Sequence, residues 1–412
     1  MSRRPAVRFR PPALRLTPAV RWMLLRAFGP AGAVAPAAEA GEVLALCRRF
    51  DVSARVAARQ GRARLAAEMG AAAEGFARDQ AAAAAQGLRL MALADRVAAE
   101  AAARDLPLVF LKFAAMELGR LLAPGGRRAW DLDVLVPGGS AEELQETLVR
   151  AGFRASSMPG QEHQLPALAG PEGIVEVHRM LPGVRVRGRR SATFEDLAGE
   201  GLLAPLPRLP GRASIPAPAV AAAHVLVHGI AQHGWSPASY PPFRMVADLI
   251  DLGFCVPAER AEHGVAPPAG EALARVTVWL AGEVTAGEVA AVGRLVAALA
   301  AGAELDGWAE SPAGEALLLR HMLAGSLDPR YERSLRLSLL RRQPSDRREP
   351  ARLARALLAA VWLSRPQVDA IYGPPRRRLG YLARRLARPF DLFLRLAASC
   401  ALALRLRWRR PA

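Results

Sequence analysis

The sequence contains few cysteines and a single lysine. Its three cysteines, Cys47, Cys255 and Cys400, are far apart and odd in number. They therefore form neither a Cys-x-x-Cys zinc or redox pair nor a disulfide framework. This usage predicts a reducing compartment. Lys112 is the only lysine among 56 basic residues, all the others being arginine, so its position is a candidate for a specific role.

Long apolar runs are also missing. The uncharged stretch from 213 to 243 is interrupted by prolines, and its apolar part, 220–231, is shorter than the roughly 20 residues that a membrane-spanning helix needs. Arginines interrupt any apolar segment near the N-terminus, so we expect no secretory signal. We predict a cytoplasmic protein, with a peripheral position on the inner face of the membrane as the alternative.

The composition is that of a globular chain. With 412 residues, 52% hydrophobic and 23% charged, the sequence can bury a sizeable core, which excludes wholesale disorder and collagen-like repeats. At this length two or three domains are expected.

The positive charge is confined to the two ends. The formal net charge is +18, of which residues 1–30 carry +7 and residues 331–412 carry +15, leaving −4 for the middle. An enzyme of nucleic acids would carry its positive field along the groove that it uses. This distribution argues against a nucleic-acid partner. An anionic membrane surface, bound through the Arg/Leu-rich tail, is an alternative to packing of the tail on the body.

Periodicity predicts an α+β protein, with a small mixed sheet between an N-terminal helical part and a C-terminal helical domain. We place the boundaries at 1–104 (helical), 105–200 (α/β core), 201–345 (helical) and 346–412 (basic helical tail). The expected elements are strands at 106–112 and 131–136, helices at 114–122 and after a capping box at 140–143, a hairpin of 163–169 and 174–180, an irregular connector at 182–218, and helices within 220–253 and 270–327.

Three carboxylates are candidates for a metal site. Asp131 and Asp133 are two apart on a predicted strand, so both project from one face, and Glu176 occupies one face of a nearby strand. Three such groups suit Mg²⁺ and two-metal phosphoryl transfer. Solvent-facing acids are the alternative. Because neighbouring carboxylates repel, we expect that removing Asp131 or Asp133 leaves the fold intact.

Lys112 and Arg127 are candidates for binding phosphate. Lys112 lies where a strand leads into a helix N-terminus, which favours anions. Arg127 is four residues before Asp131. A solvated lysine and an incidental arginine are the alternatives.

A further candidate group is histidine. His224 and His228, spaced i and i+4, together with His233, suggest zinc, but no nearby cysteine and no His-Glu-x-x-His motif supports it. Helix packing is the favoured interpretation of His224 and His228.

These residues carry a family resemblance. The string LVFLKFAAMELGRLLAPGGRRAWDLDVLV, residues 108–136, resembles the signature of the uncharacterised bacterial nucleotidyltransferase family, within the polymerase-beta-like superfamily. Lys112, Arg127, Asp131 and Asp133 match its positions. His163, the Glu-Val-His string at 176–178, the His-x-x-x-His-Gly of 224–229 and the Arg-x-x-x-Asp of 244–248 resemble its later motifs.

The resemblance implies a nucleotidyltransferase-type sheet at 105–200 and transfer of a nucleoside monophosphate from an NTP. Mg²⁺ would be held by Asp131, Asp133 and Glu176, and the triphosphate by Lys112 and Arg127. His178, His228 and Asp248 are further candidates for lining the cleft, as the alternative to helix packing for His228. The acceptor is unidentified; a hydroxyl of a small molecule, sugar or peptide is expected, because the middle of the chain is not basic.

One departure suggests an alternative function. The family has glycine after the lysine, whereas this chain has Phe113, which limits how closely the backbone can approach a phosphate. The alternative is therefore a non-catalytic nucleotide-binding or scaffold protein that keeps the fold. RNA modification is a third hypothesis, supported only by the pI of 11.3.

Overall fold

The computed structural model describes residues 16–156, 162–232, 241–254, 275–308 except 283, and 311–327, with a few single positions elsewhere. Most of the predicted basic tail, and His233, lie outside the described residues. In the part of the chain that is described, no helix is both long and apolar enough to cross a membrane.

Helices form the N-terminal part, as the alanine- and leucine-rich composition predicts. Thr17 caps the first of them, its hydroxyl accepting from the Val20 amide, and Pro18 occupies the first helical position, where a missing amide hydrogen costs nothing. The helices are α1 (Pro18–Phe28), α2 (Ala40–Arg49), α3 (Ser53–Gln60), α4 (Arg62–Met69) and the 30-residue α5 (Ala73–Ala102).

Nine strands follow: β1 (Leu108–Phe110), β2 (Asp131–Leu135), β3 (Arg154–Ala155), β4 (Leu168–Ala169), β5 (Ile174–His178), β6 (Met180–Val186), β7 (Arg189–Thr193), β8 (Leu203–Pro205) and β9 (Ala213–Pro216) among the described residues. Seven of them form a mixed sheet in the order β3-β4-β5-β2-β1-β9-β8, and β6 and β7 form a separate hairpin. The intervening helices are α6 (Lys112–Leu118), α7 (Ala141–Arg150) and α8 (Phe194–Gly199).

Strand alternation divides the core in two. On β2, Leu132 and Val134 pack with α5 and α7 in one hydrophobic cluster. Leu135, on the other face, belongs to a second cluster that includes α1, α3 and the later helices. Because side chains alternate along a strand, Asp131 and Asp133 share the face of Leu135 and point towards this second layer.

The later helices are α9 (Pro218–Leu226), α10 (Pro242–Leu249), α11 (Ala286–Ala300) and α12 (Gly314–Leu327). α9 and α10 each continue into a π-helical segment, Val227–Gln232 and Ile250–Phe254. Such segments are rare and often occur at functional sites.

Most of the predicted elements of the core are confirmed. β1, β2 and α6 lie where they were expected, and the hairpin forms between β4 and β5, with the Gly170 amide donating to the Gly173 carbonyl at 2.8 Å. The fold class is α+β with a mixed sheet and helices on both sides, as predicted.

Two expectations were wrong. The stretch 182–218 is not an irregular connector: it contains most of β6 and all of β7, α8, β8 and β9, and β9 pairs in parallel with β1. The capping box at 140–143 does not form either, because the Ser140 side chain makes no cap hydrogen bond. A 3₁₀ turn, Gly138–Ser140, leads into α7 instead.

Candidate active site

Two parallel strands bring the acidic residues together. β2 and β5 pair in register, with Asp133 opposite Glu176 and Leu135 opposite His178. Residues paired across parallel strands project from the same face, so Asp133 and Glu176 are neighbours and His178 follows on that face. Asp133 and His178 are buried, each about 3% exposed. Asp133 and His178, which are 45 positions apart in the sequence, therefore lie in a single cluster.

Lys112 reaches this cluster from the adjacent strand. It is the first residue of α6, two residues after β1 ends at Phe110, and its backbone lies in the left-handed region with φ of 47°. Such a conformation is strained for a residue with a side chain and persists where the surroundings demand it. Its Nζ lies 2.8 Å from Asp133 Oδ1, and only 16% of the side chain is exposed. The lone lysine is thus a buried partner of the central carboxylate.

His178 supplies a second donor to the same oxygen. Its Nε2 lies 2.9 Å from Asp133 Oδ1 and 3.8 Å from Glu176 Oε2. Since the carboxylate accepts, Nε2 carries the proton. The buried Nδ1 of His178 has no hydrogen-bond partner among the described residues. The ring of His163 is stacked on that of His178, with 5.8 Å between the centroids.

The ionisation of the cluster is uneven. Burial opposes ionisation of Asp133, but Lys112 and His178 outweigh it and hold the Asp133 pKa well below its usual range. Burial and the nearby Asp133 carboxylate raise the pKa of Asp131, and the same two causes raise the Glu176 pKa to about 7. For Lys112, the carboxylates overcome the effect of burial and raise the pKa. The cluster therefore holds more negative charge than its one ammonium neutralises.

This donor set fits a divalent cation. Asp133, Glu176 and His178 each offer one ligand atom, and these atoms lie within 4.8 Å of one another. Burial and then the repulsion from Asp133 raise the pKa values of Asp131 and Glu176, and a bound cation would favour the ionised form of both groups. Mg²⁺ is usually bound through one or two carboxylates together with substrate phosphates. A histidine nitrogen suits transition metals, but His178 Nε2 could bind one only after giving up its proton and its hydrogen bond to Asp133. Asp131 is not part of this three-residue group.

Comparison with known proteins now decides the family. The profile of a family described as uncharacterised nucleotidyltransferase matches residues 36–252, more than half of the chain. The chain belongs to this family. A search of curated proteins and a search of solved structures each found no match. The matched range of this nucleotidyltransferase begins near α2 and ends in the π-helical segment after α10, and it includes every candidate site residue.

Two family-motif residues of the nucleotidyltransferase bind each other. The guanidinium of Arg127 donates from Nε to Asp248 Oδ1 at 2.6 Å and from Nη2 to Oδ2 at 2.8 Å. The Arg127 side chain is 9% exposed and that of Asp248 1%. The guanidinium carbon also lies 5.4 Å from the centroid of the buried Phe113 ring. Arg127 is close enough to Asp131 to lower its pKa, so this pair adjoins the acidic cluster.

Histidines complete the surroundings of the cluster. His224 is buried on α9, and burial, reinforced by the charges of Lys112 and His178, lowers its pKa to about 3. His163 behaves similarly, with its pKa lowered to about 4, chiefly by burial. Both are therefore neutral near pH 7. The helix-packing interpretation of His224 missed this electrostatic link, although its occurrence in a family motif was the available signal.

The remaining site predictions concern residues on α10 and on the π-helical segment that follows α9. The Nδ1 of His228 lies 2.7 Å from Gln232 Oε1, and its ring contacts that of His224 at 6.2 Å between the centroids. That His228 lines the cleft stays a prediction. Arg244, the first residue of the Arg-x-x-x-Asp motif, forms an ion pair with Asp51, and its charge partly offsets the rise in the Asp131 pKa. Sequence reasoning had not singled out Arg244 as a site residue.

We expect Glu176→Gln to stabilise the protein at alkaline pH. The Glu176 pKa rises from 4.5 in the unfolded chain to about 7 in the fold, so the stability present below pH 4.5 is lost as the pH rises through 7. The variant removes this loss, which amounts to up to roughly 3 kcal/mol at pH 8. Urea unfolding at pH 4.5 and pH 8 measures it. Equal stability changes at the two pH values would contradict the expectation.

Proposed function

We propose that the chain is a metal-dependent nucleotidyltransferase that moves a nucleoside monophosphate from an NTP to a hydroxyl acceptor. The observation that carries the proposal is the register of β2 and β5, which sets Asp133 beside Glu176 with Lys112 Nζ 2.8 Å from Asp133. A family of nucleotidyltransferases needs carboxylates for a divalent cation and a cation for the triphosphate, and this cluster supplies both.

The acidic residues are assigned to the metal. Asp131, Asp133 and Glu176 would hold Mg²⁺, with His178 fixing the orientation of Asp133. When bound, the metal would neutralise charge on the triphosphate and orient it.

The cations are assigned to the triphosphate. Lys112 begins α6, and Arg127 lies in the loop that leads into β2. Both lower the pKa of Asp131 and so oppose the effect of burial on it. Arg127 uses Nε and Nη2 for Asp248, so its contribution to phosphate would be a charge held at a fixed position. A small-molecule, sugar or peptide hydroxyl remains the proposed acceptor.

A non-catalytic nucleotide-binding protein is the second candidate. The observation that favours it is the packing of Phe113, which fills the place of the family glycine, is only 5% exposed and lies beneath Arg127. This arrangement limits the approach of a phosphate to the turn after β1. A protein of this kind would bind NTP and metal without turnover.

Pyrophosphate release is the decisive experiment. The full chain is incubated with Mg²⁺ or Mn²⁺ and each NTP in turn, with and without pools of hydroxyl compounds, and pyrophosphate is measured. We expect release that is lost in Asp131→Asn, because a carboxylate for the metal is removed. The half-buried Asp131 is chosen because its pKa is raised, so its replacement relieves repulsion and preserves the fold.

The matched control is Asp95→Asn, a carboxylate on α5 for which no ion pair is found among the described residues. It removes the same charge outside the cluster and should retain full release. Nucleotide binding without pyrophosphate from any NTP would favour the non-catalytic candidate, and the absence of nucleotide binding would contradict both.

A further inference from the structure

Two nitrogen donors contact one oxygen of the Asp133 carboxylate. Lys112 Nζ lies 2.8 Å from Oδ1 and His178 Nε2 lies 2.9 Å from the same atom. Both donors are held close to the sheet: Lys112 begins α6, two residues after the end of β1, and His178 ends β5. Oδ1 therefore already accepts two short hydrogen bonds in a buried setting, and Lys112 acts as the counter-ion of the cluster.

A divalent cation would need the same carboxylate. Mg²⁺ binds oxygen ligands at about 2.0–2.1 Å, and at a buried site two cations on one carboxylate repel each other strongly. Lys112 cannot withdraw fully into water by a small movement, since only 16% of its side chain is exposed and its backbone is held in the left-handed region. Its ammonium therefore stays near any metal that Asp133 binds.

We propose that Lys112 competes with the divalent metal for Asp133 and so sets the metal affinity of the site. The lysine is a tethered cation that weakens binding of the metal alone. An incoming triphosphate, which offers Lys112 another anionic partner, releases Asp133 for the metal. The inference rests on the proposed metal site and adds a role for the lysine that phosphate binding alone does not predict.

The test measures Mn²⁺ affinity of the full chain without nucleotide, by electron paramagnetic resonance of the unbound ion. Lys112→Met removes the charge while keeping most of the side-chain volume. We expect Mn²⁺ to bind at least about tenfold more tightly than to the wild type, because the repulsion is removed. A role limited to phosphate contact predicts no change, and a role in holding the carboxylates in place predicts weaker binding.

Three further variants test whether the change in Mn²⁺ affinity depends on the charge of Lys112. Lys112→Arg keeps the charge and should leave Mn²⁺ affinity within about threefold of the wild type. Arg62→Met removes one positive charge on α4, where Arg62 forms an exposed ion pair with Glu74 of α5, and should leave the Mn²⁺ affinity unchanged. Lys112→Gln, as a second neutral variant, should repeat the tightening. The rise in melting temperature on adding Mn²⁺ should also be larger in both neutral variants than in the wild type.

The outcomes separate this inference from the proposed function. If Mn²⁺ binds the wild type, Asp131→Asn weakens that binding, and neither neutral variant binds more tightly, then the competition is disproved while the metal site stands. If neither the wild type nor the neutral variants bind Mn²⁺, the metal site and the competition both fall. Tightening that Arg62→Met reproduces would also overturn the inference, since it would reflect net charge.

Discussion

Replacing Asp133 by asparagine should destabilise the protein and abolish metal binding. Asp133 is 3% exposed and accepts from both Lys112 and His178. Its removal leaves the buried ammonium without its nearest partner, and breaking a buried pair in this way costs about 3–5 kcal/mol. Urea unfolding at pH 7 measures the stability, and Mn²⁺ titration measures the loss of the ligand.

Asp131→Asn is the matched comparison for this prediction. Asp131 sits two residues earlier on the same strand face, but its pKa is raised by burial and by Asp133, so its ionisation opposes folding. We expect its replacement to leave stability at pH 7 unchanged or increased. The sequence pattern gives the two carboxylates the same role, whereas in the structure the pKa of Asp131 is raised and that of Asp133 is lowered. Equal destabilisation by the two variants would contradict the central position of Asp133.

Asp248→Asn should be the other strongly destabilising change. Asp248 is 1% exposed, and both of its oxygens accept from the Arg127 guanidinium. The amide cannot reproduce two charge-assisted bonds, and the buried guanidinium would lose its bidentate carboxylate partner. We expect the free energy of unfolding to fall by about 3–5 kcal/mol, measured by urea unfolding.

The control for Asp248 is an ion pair nearer the surface. Arg96 and Glu172 lie 3.1 Å apart with side chains 32% and 29% exposed, so Glu172→Gln should cost no more than about 1 kcal/mol. We also expect Asp248→Asn to weaken NTP binding, because Arg127 would lose its fixed position beside Asp131. If Asp248→Asn lowers the free energy of unfolding no more than Glu172→Gln does, the Arg127–Asp248 pair does not behave as a buried ion pair.

Short-range signals allowed much of the core to be predicted. The alternation of Asp131, Leu132, Asp133 and Val134 predicts β2 and the shared face of the acids, and the turn residues at 170–173 predict the β4–β5 hairpin. The pairing of Asp133 with Glu176 follows once the two strands are neighbours. These features depend on the period of two and on turn chemistry, both of which are local properties of the sequence.

Long-range contacts could not be predicted in the same way. β9 is four residues long and ends at Pro216, and its strand signal is hidden among the prolines of 182–218. Its assignment depends on pairing with β1, which no local pattern encodes. The Arg127–Asp248 pair and the approach of His224 to the cluster likewise join residues about 100 positions apart, so tertiary packing alone sets them.

The pairing of β1 with β9 has a consequence for how the chain acquires its structure. Leu108 and Val109 pair with Ala213 and Ser214. During synthesis, one edge of β1 therefore has no pairing strand until about 100 further residues have been made. Non-local pairing of this kind slows folding. A fragment that ends before Ala213 would expose the Leu-Val-Phe edge of β1, which is a template for association with other chains. Fragments ending before β9 should therefore aggregate, whereas those that include it complete the sheet.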